Sequence, residues 1–120
     1  MGKSVAVFYL PRRAQEEILG AAIAFAGEER LRVETNGPNH VHLSRGSIWW
    51  TGKRVVTVVA WNVPGGANVH VEVWVVEGLV TLNADPNVFF GFVPRRAAWR
   101  TVSAFVSRLG VPPESVFVHY

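Results

Sequence analysis

The chain of 120 residues contains no cysteine and only one methionine. Without thiols, disulfides, thiolate nucleophiles and cysteine-ligated metal centres are excluded. Lysine is nearly as scarce, with ten arginines against two lysines. Arginine offers phosphate or carboxylate a planar fork and stacks on rings, which an ammonium group does not. A thermophilic or GC-rich source would produce the same bias. Long hydrophobic runs are also missing. The first apolar stretch, "VAVFYL", is closed by Pro11-Arg12-Arg13, and none approaches the roughly 18 residues of a membrane span. No secretory signal is recognisable, so a cytoplasmic protein with no membrane partner is expected.

Apolar residues at 49% and charged residues at 18% are too rich and too sparse, respectively, for a disordered chain. Residues 1–120 therefore read as one domain with room for a sizeable core. The net charge of +3 and pI near 10.0 lean toward a polyanionic partner.

Strand patterns dominate the middle. "RLRVETN" (30–36) and "HVHL" (40–43) alternate polar with apolar residues. They are followed by "SIWWT" (47–51), "RVVTVVAWNV" (54–63), "VHVEVWVVE" (69–77), "LVTL" (79–82) and "VFFGF" (88–92). The separators "NGPN", "SRG", "TGK", "PGGAN", "EG" and "NADPN" are turn chemistry. Helices are expected over about 12–26, with Gly27 as its stop, and over about 95–109, where Trp99, Val102, Val106 and Leu109 form one apolar stripe. Strands at 4–10 and in "SVFVHY" complete the chain. The expected fold is α+β: an antiparallel meander sheet of five to seven strands with two pseudo-equivalent helices packed on one face.

The pseudo-equivalence rests on two ungapped windows, 9–27 and 92–110. They share Pro11/Pro94, Arg12/Arg95, Arg13/Arg96, Ala14/Ala97, Ala21/Ala104 and Gly27/Gly110. An internal strand–helix repeat over 4–27 and 87–110 would account for them. Both windows place proline and two arginines where a helix begins. Proline suits that position, but positive charge opposes the helix dipole. Glu16 and Glu17 dilute the conflict in the first helix, whereas the second adds Arg100. An anion at each N-terminus would resolve it, since free N–H groups and guanidinium forks together cradle phosphate. Carboxylates elsewhere, such as Glu77 or Asp85, are the alternative partners.

Four of the five tryptophans fall in the meander. Side chains on a strand alternate faces, so of Trp49 and Trp50 one must point away from the helices. With Val71, Val73 and Val75 inward, His70, Glu72, Trp74 and Val76 point outward, and Thr57 outward carries Trp61 with it. The helix-free face would hold Trp49 or Trp50, Trp61, Trp74, His42, His70 and Arg32, with Arg45, Lys53 and Arg54 in its turns. Rings on a sheet fringed by cations form a platform where unpaired bases stack and phosphates meet charge. The expected partner is nucleic acid, single-stranded rather than duplex. The expected contacts are Trp49, Trp50, Trp61, Trp74, Arg12, Arg13, Arg32, Arg45, Lys53, Arg54, Arg95, Arg96 and Arg100. The rival reading is a homodimer that uses the tryptophan face as its interface.

A small-ligand pocket on the same face is the third possibility. His40, His42, His70 and Glu72 would surround a divalent metal if their strands paired in register. No Ser-His-Asp ordering stands out, and no G-x-x-x-x-G-K phosphate loop is present. No catalytic residues and no cofactor are assigned; an enzyme is not excluded, but nothing in the sequence asks for one.

Overall fold

The structure, a computed structural model, describes residues 2–47 and 52–120. Its elements in chain order are β1 (Ser4–Pro11), α1 (Gln15–Glu28), β2 (Arg32–Asn36), β3 (His40–Arg45), β4 (Lys53–Val63), β5 (Gly66–Glu77), β6 (Val80–Leu82), α2 (Phe92–Arg108), α3 (Pro113–Val116) and β7 (Phe117–His119). The seven strands form one antiparallel sheet in the order β2-β3-β4-β5-β1-β7, with β6 also paired to β5. The fold is α+β, and both long helices lie on the same side of the sheet.

The long β4–β5 hairpin organises the rest. Its register runs from Lys53↔Val76 to Val63↔Gly66 around a Pro64-Gly65 turn. β1 occupies the far edge of β5 from Gly66 to Val73, and β6 takes the same edge from Val75 to Glu77. Gly66 permits this arrangement, because a Cβ there would lie 2.2 Å from the Leu10 carbonyl oxygen. No larger residue fits where β1 crosses.

Register also fixes which side chains face the helices. Ala6 and Leu10 of β1, Val41 and Leu43 of β3, Val56, Val58 and Ala60 of β4, and alternate residues Ala67 to Val75 of β5 are all buried. Ile18, Ala22 and Phe25 from α1 and Ala98, Val102, Phe105 and Val106 from α2 cover them. The two helices meet at Phe25 and Phe105, whose ring centroids are 5.5 Å apart. Trp99 lies on the other flank of α2, against Phe117 at 5.5 Å and His119 at 5.6 Å. The apolar-on-both-sides run in β4 is thus resolved, with Thr57 and Trp61 turned away from the helices as expected.

Four local expectations are corrected. No strand forms over 88–92. Asn87 N donates to Asp85 Oδ1 at 2.9 Å, Gly91 turns left-handed at φ 67°, and α2 starts at Phe92. The segment 87–110 therefore lacks the strand that a second strand–helix unit needs. α1 starts at Gln15, after a left-handed Arg12 at φ 60°, so its arginines precede the helix while those of α2 lie within it. α1 also runs past Gly27 to Glu28, and the reversal falls on Arg30 at φ 58°. Gly110, at φ 86°, does end α2 as expected. The "SIWWT" strand falls largely on residues 48–51, outside the described residues.

The helix-to-helix contact is the most sensitive point of this core. Phe105→Ala should lower unfolding free energy by about 3–5 kcal/mol, whereas Ile23→Ala on the exposed side of α1 should change it by no more than about 0.5 kcal/mol. Urea denaturation of the two variants checks this, and equal effects would contradict the packing described.

Candidate functional site

With both long helices on one side, the other face of the sheet carries no helical layer among the described residues. Register places Val5, Val7 and Tyr9 of β1 there, Asn68, His70, Glu72, Trp74 and Val76 of β5, and Lys53, Val55, Thr57, Val59 and Trp61 of β4. His40, His42 and Ser44 of β3 and Arg32 of β2 extend it. The face has two aromatic ends. At one, Tyr9 and Trp61 flank Asn68 in a single cross-strand row, 46% and 37% exposed respectively. At the other stands Trp74, opposite Val55. Six residues separate the two ends along β4, which is about 20 Å of extended chain.

Trp74 leans across β4. Its ring centroid is 5.9 Å from that of His42, although β4 separates their strands. Val55 below is consequently buried despite facing outward. Beside Trp74, where β1 begins and β6 takes over the edge of β5, Gly2, Lys3, Glu72, Trp74 and Thr81 line a cavity of about 420 Å³.

The charges on this face are partly compensated. Lys3 Nζ lies 3.0 Å from Glu72, whose other oxygen is 2.9 Å from His70 Nε2. Burial pushes the Glu72 carboxyl up, but hydrogen bonds and charge from Lys3 and His70 outweigh it and hold the group below its ordinary 4.5. Glu34 accepts the Ser44 hydroxyl and sits 3.7 Å from Arg32 and 3.9 Å from Lys53. That hydrogen bond, followed by Lys53 and Arg32, lowers its carboxyl too.

The alternative metal cluster of His40, His42, His70 and Glu72, which required their strands to pair, is not assembled. β3 and β5 are separated by β4 and do not pair. His42 Nδ1 is bonded to the Thr57 hydroxyl at 2.8 Å, and Glu72 is held by Lys3 and His70. Among the described residues no three histidine, aspartate or glutamate side chains are placed to share an ion.

The arginines expected to cradle phosphate at the helix starts meet groups of the chain itself. Arg95 is only 8% exposed and folds back from α2. Its Nε donates to the Phe90 carbonyl at 2.7 Å, and its Nη1 donates to Asn83 Oδ1 and, at 3.4 Å, to the Asn83 carbonyl. Arg96 Nε donates to the Pro86 carbonyl at 3.2 Å. Together they clamp the 83–90 connection to α2, which accounts for cations at this helix N-terminus. At α1, Arg13 pairs with Glu17 one turn on. Gln15 N donates to Asn62 Oδ1 at 2.9 Å while Asn62 N donates to Gln15 Oε1 at 3.0 Å, so a side chain already meets that helix start.

The expected site residues thus divide. Trp61, Trp74, Arg32 and Lys53 share the helix-free face, and Arg12 follows β1 at its Tyr9–Trp61 end. Arg45, Arg54 and Arg100 gather on the helix side, and Trp49 and Trp50 lie outside the described residues. Tyr9 and Lys3 were not among the expected contacts. The alternation of Val5, Val7 and Tyr9 against Ala6, Phe8 and Leu10 carries the signal for Tyr9. No family model, curated protein or solved structure matches this chain at a significant level.

Two outcomes test this geometry. Arg95→Ala removes the buried guanidinium that bridges the Phe90 and Asn83 carbonyls and should lower stability by about 1–3 kcal/mol, with Arg96→Ala costing less; equal effects in urea denaturation would contradict the clamp. Glu72 is ionised more readily folded than unfolded, so its pairing stabilises the protein above its ordinary 4.5 and is lost as pH falls through the lowered folded value. Glu72→Gln should therefore reduce stability at neutral pH by up to about 1 kcal/mol. Thermal unfolding should show that difference closing in acid, and a difference independent of pH would exclude the pairing.

Proposed function

We propose that this protein binds single-stranded nucleic acid across the helix-free face of its sheet. The observation that carries the reading is the pair of aromatic stations at either end of one uncovered face: Tyr9 with Trp61, and Trp74 beside its cavity. Every base has a π-face, so such stations accept bases without reading sequence. Lys3, Arg32 and Lys53 on the face and Arg12 at its end supply phosphate contacts. Arg95 is excluded from that role by its internal bonds.

The charge pattern makes the reading quantitative. Four cations of which three already face carboxylates support a shallow salt dependence, with a log–log slope no steeper than about −3 for single strands. Most of the affinity would come from stacking, at about 1–3 kcal/mol per base.

A second reading is favoured by one feature, the apolar strip where Val7 and Val118 are 58% and 54% exposed on the β1–β7 side of the same face. Two copies meeting there would form a homodimer and compete with the nucleic acid.

Fluorescence titration with a labelled single-stranded oligonucleotide tests the proposal. Tryptophan quenching should accompany binding, and Trp61→Ala and Tyr9→Ala should each weaken it about 5–100-fold. Duplex DNA should bind more weakly. Absence of binding at micromolar protein in low salt, with light scattering giving a dimer, would replace this reading with the second.

A further inference from the structure

A different cluster of charge lies on the helix-covered side, where β3 ends and β4 begins. Arg45 and Arg54 are direct register partners across the two strands. Arg100 reaches the same place from α2, and Glu29 from the end of α1. With Ala97 and Thr101 they line a cavity of about 290 Å³. Like charges directly opposed across strands destabilise a sheet, and here a third joins them from a separate element.

The cluster is underneutralised within the chain. Arg45 Nη1 donates to the Glu29 carbonyl at 2.9 Å, which fixes the side chain but supplies no full negative charge. Among the described residues neither Arg54 nor Arg100 has an ion-pair partner. Burial of the half-buried Arg54, then repulsion from Arg45 and Arg100, pulls its guanidinium below its ordinary value, and Glu29 alone opposes this. The small Ala97 and the Thr101 hydroxyl, which donates to the Ala97 carbonyl at 3.0 Å, leave the α2 side of the cavity open beside Arg100.

Three guanidinium groups and one carboxylate leave two positive charges around one small cavity. A phosphate monoester or inorganic phosphate carries about −1.5 to −2 at neutral pH and accepts guanidinium forks in pairs. We propose that the cleft formed by Arg45, Arg54 and Arg100 is a binding site for a phosphate dianion, free or as a terminal phosphomonoester. The site faces away from the aromatic platform and does not depend on it. Binding relieves the repulsion between β3, β4 and α2, so the ligand ties α2 to the sheet.

Thermal unfolding of the full chain in phosphate and in chloride, at matched ionic strength and pH 7.5, tests the site. The wild type should melt about 3 °C or more higher in millimolar phosphate. Arg100→Gln and Arg54→Gln should each melt at or above the wild type in chloride, because a repulsion is removed, and should lose most of the phosphate shift. The chloride arm shows that the variants fold. The source of the phosphate is read by comparing 5′-phosphorylated and 5′-hydroxyl oligonucleotides. A preference of about fivefold or more for the phosphorylated strand, lost in Arg100→Gln, assigns a nucleic-acid terminus. Equal binding of the two strands with the inorganic phosphate shift intact assigns free phosphate or another monoester. Identical wild-type melting in the two salts, or a phosphate shift retained by both variants, overturns the proposal.

Discussion

Everything in this molecule depends on the register of β4 against β5. Because side chains alternate with a period of two, slipping that pairing by one residue would exchange the whole content of the two faces. The register from Lys53↔Val76 to Val63↔Gly66 places Val56, Val58, Ala60, Val69, Val71 and Val73 under the helices. The same stroke puts Thr57, Trp61, His70, Glu72 and Trp74 on the side with no helical cover. Core and candidate site are two consequences of one pairing. β1 then inherits its facing from β5, which makes Tyr9 a member of the same surface as Trp61.

Charge is distributed by a second constraint, that a guanidinium near an interior must find acceptors or a counterion. The chain meets it in two ways and leaves one group of arginines largely unanswered. Arg95 and Arg96 find backbone carbonyls in the 83–90 connection. Arg13 and Arg108 find carboxylates, Glu17 and Glu28, and Arg108 also lies over the Phe25 ring at 5.0 Å. Arg45, Arg54 and Arg100 are left with little beyond Glu29. A cation opposed to a helix dipole is thus no mark of a ligand by itself, as Arg95 demonstrates. Three cations driven together with no internal solution are a different matter.

The parts of this arrangement that were legible in sequence are those governed by strict alternation. "VHVEVWVVE" and "HVHL" state their facing outright, and Val71, Val73, Val41 and Leu43 are buried as their pattern requires. β4 was illegible in isolation because valine occupies both of its sides. Only pairing with β5 resolves it. The strand expected at 88–92 illustrates the opposite failure, where apolar content mimics a strand while Pro86 and the left-handed Gly91 forbid one. The matched Pro-Arg-Arg windows misled for a related reason. Identical residues enter their helices at different points, so Arg12 ends up in a turn and Arg95 in the interior. Pairing partners distant in sequence, such as Asn62 with Gln15 or Asn83 with Arg95, decide the roles of these residues, and no local pattern announces them.

The separation of rings from arginines has a consequence for how any polyanion would be held. Had all the cations fringed the tryptophan face, electrostatics would dominate and binding would fall steeply with salt. Instead the face pairs most of its cations with Glu34 and Glu72, whose carboxyls those partners hold below their ordinary value. A polyanion proposed to lie on such a surface would be held chiefly by ring contact, because its phosphates would compete with carboxylates already in place. The unmatched arginines lie behind it, on the helix-covered side of the sheet. The fold thereby divides one excess of positive charge between two surfaces of different chemistry, a weakly charged aromatic plane and a strongly charged cleft.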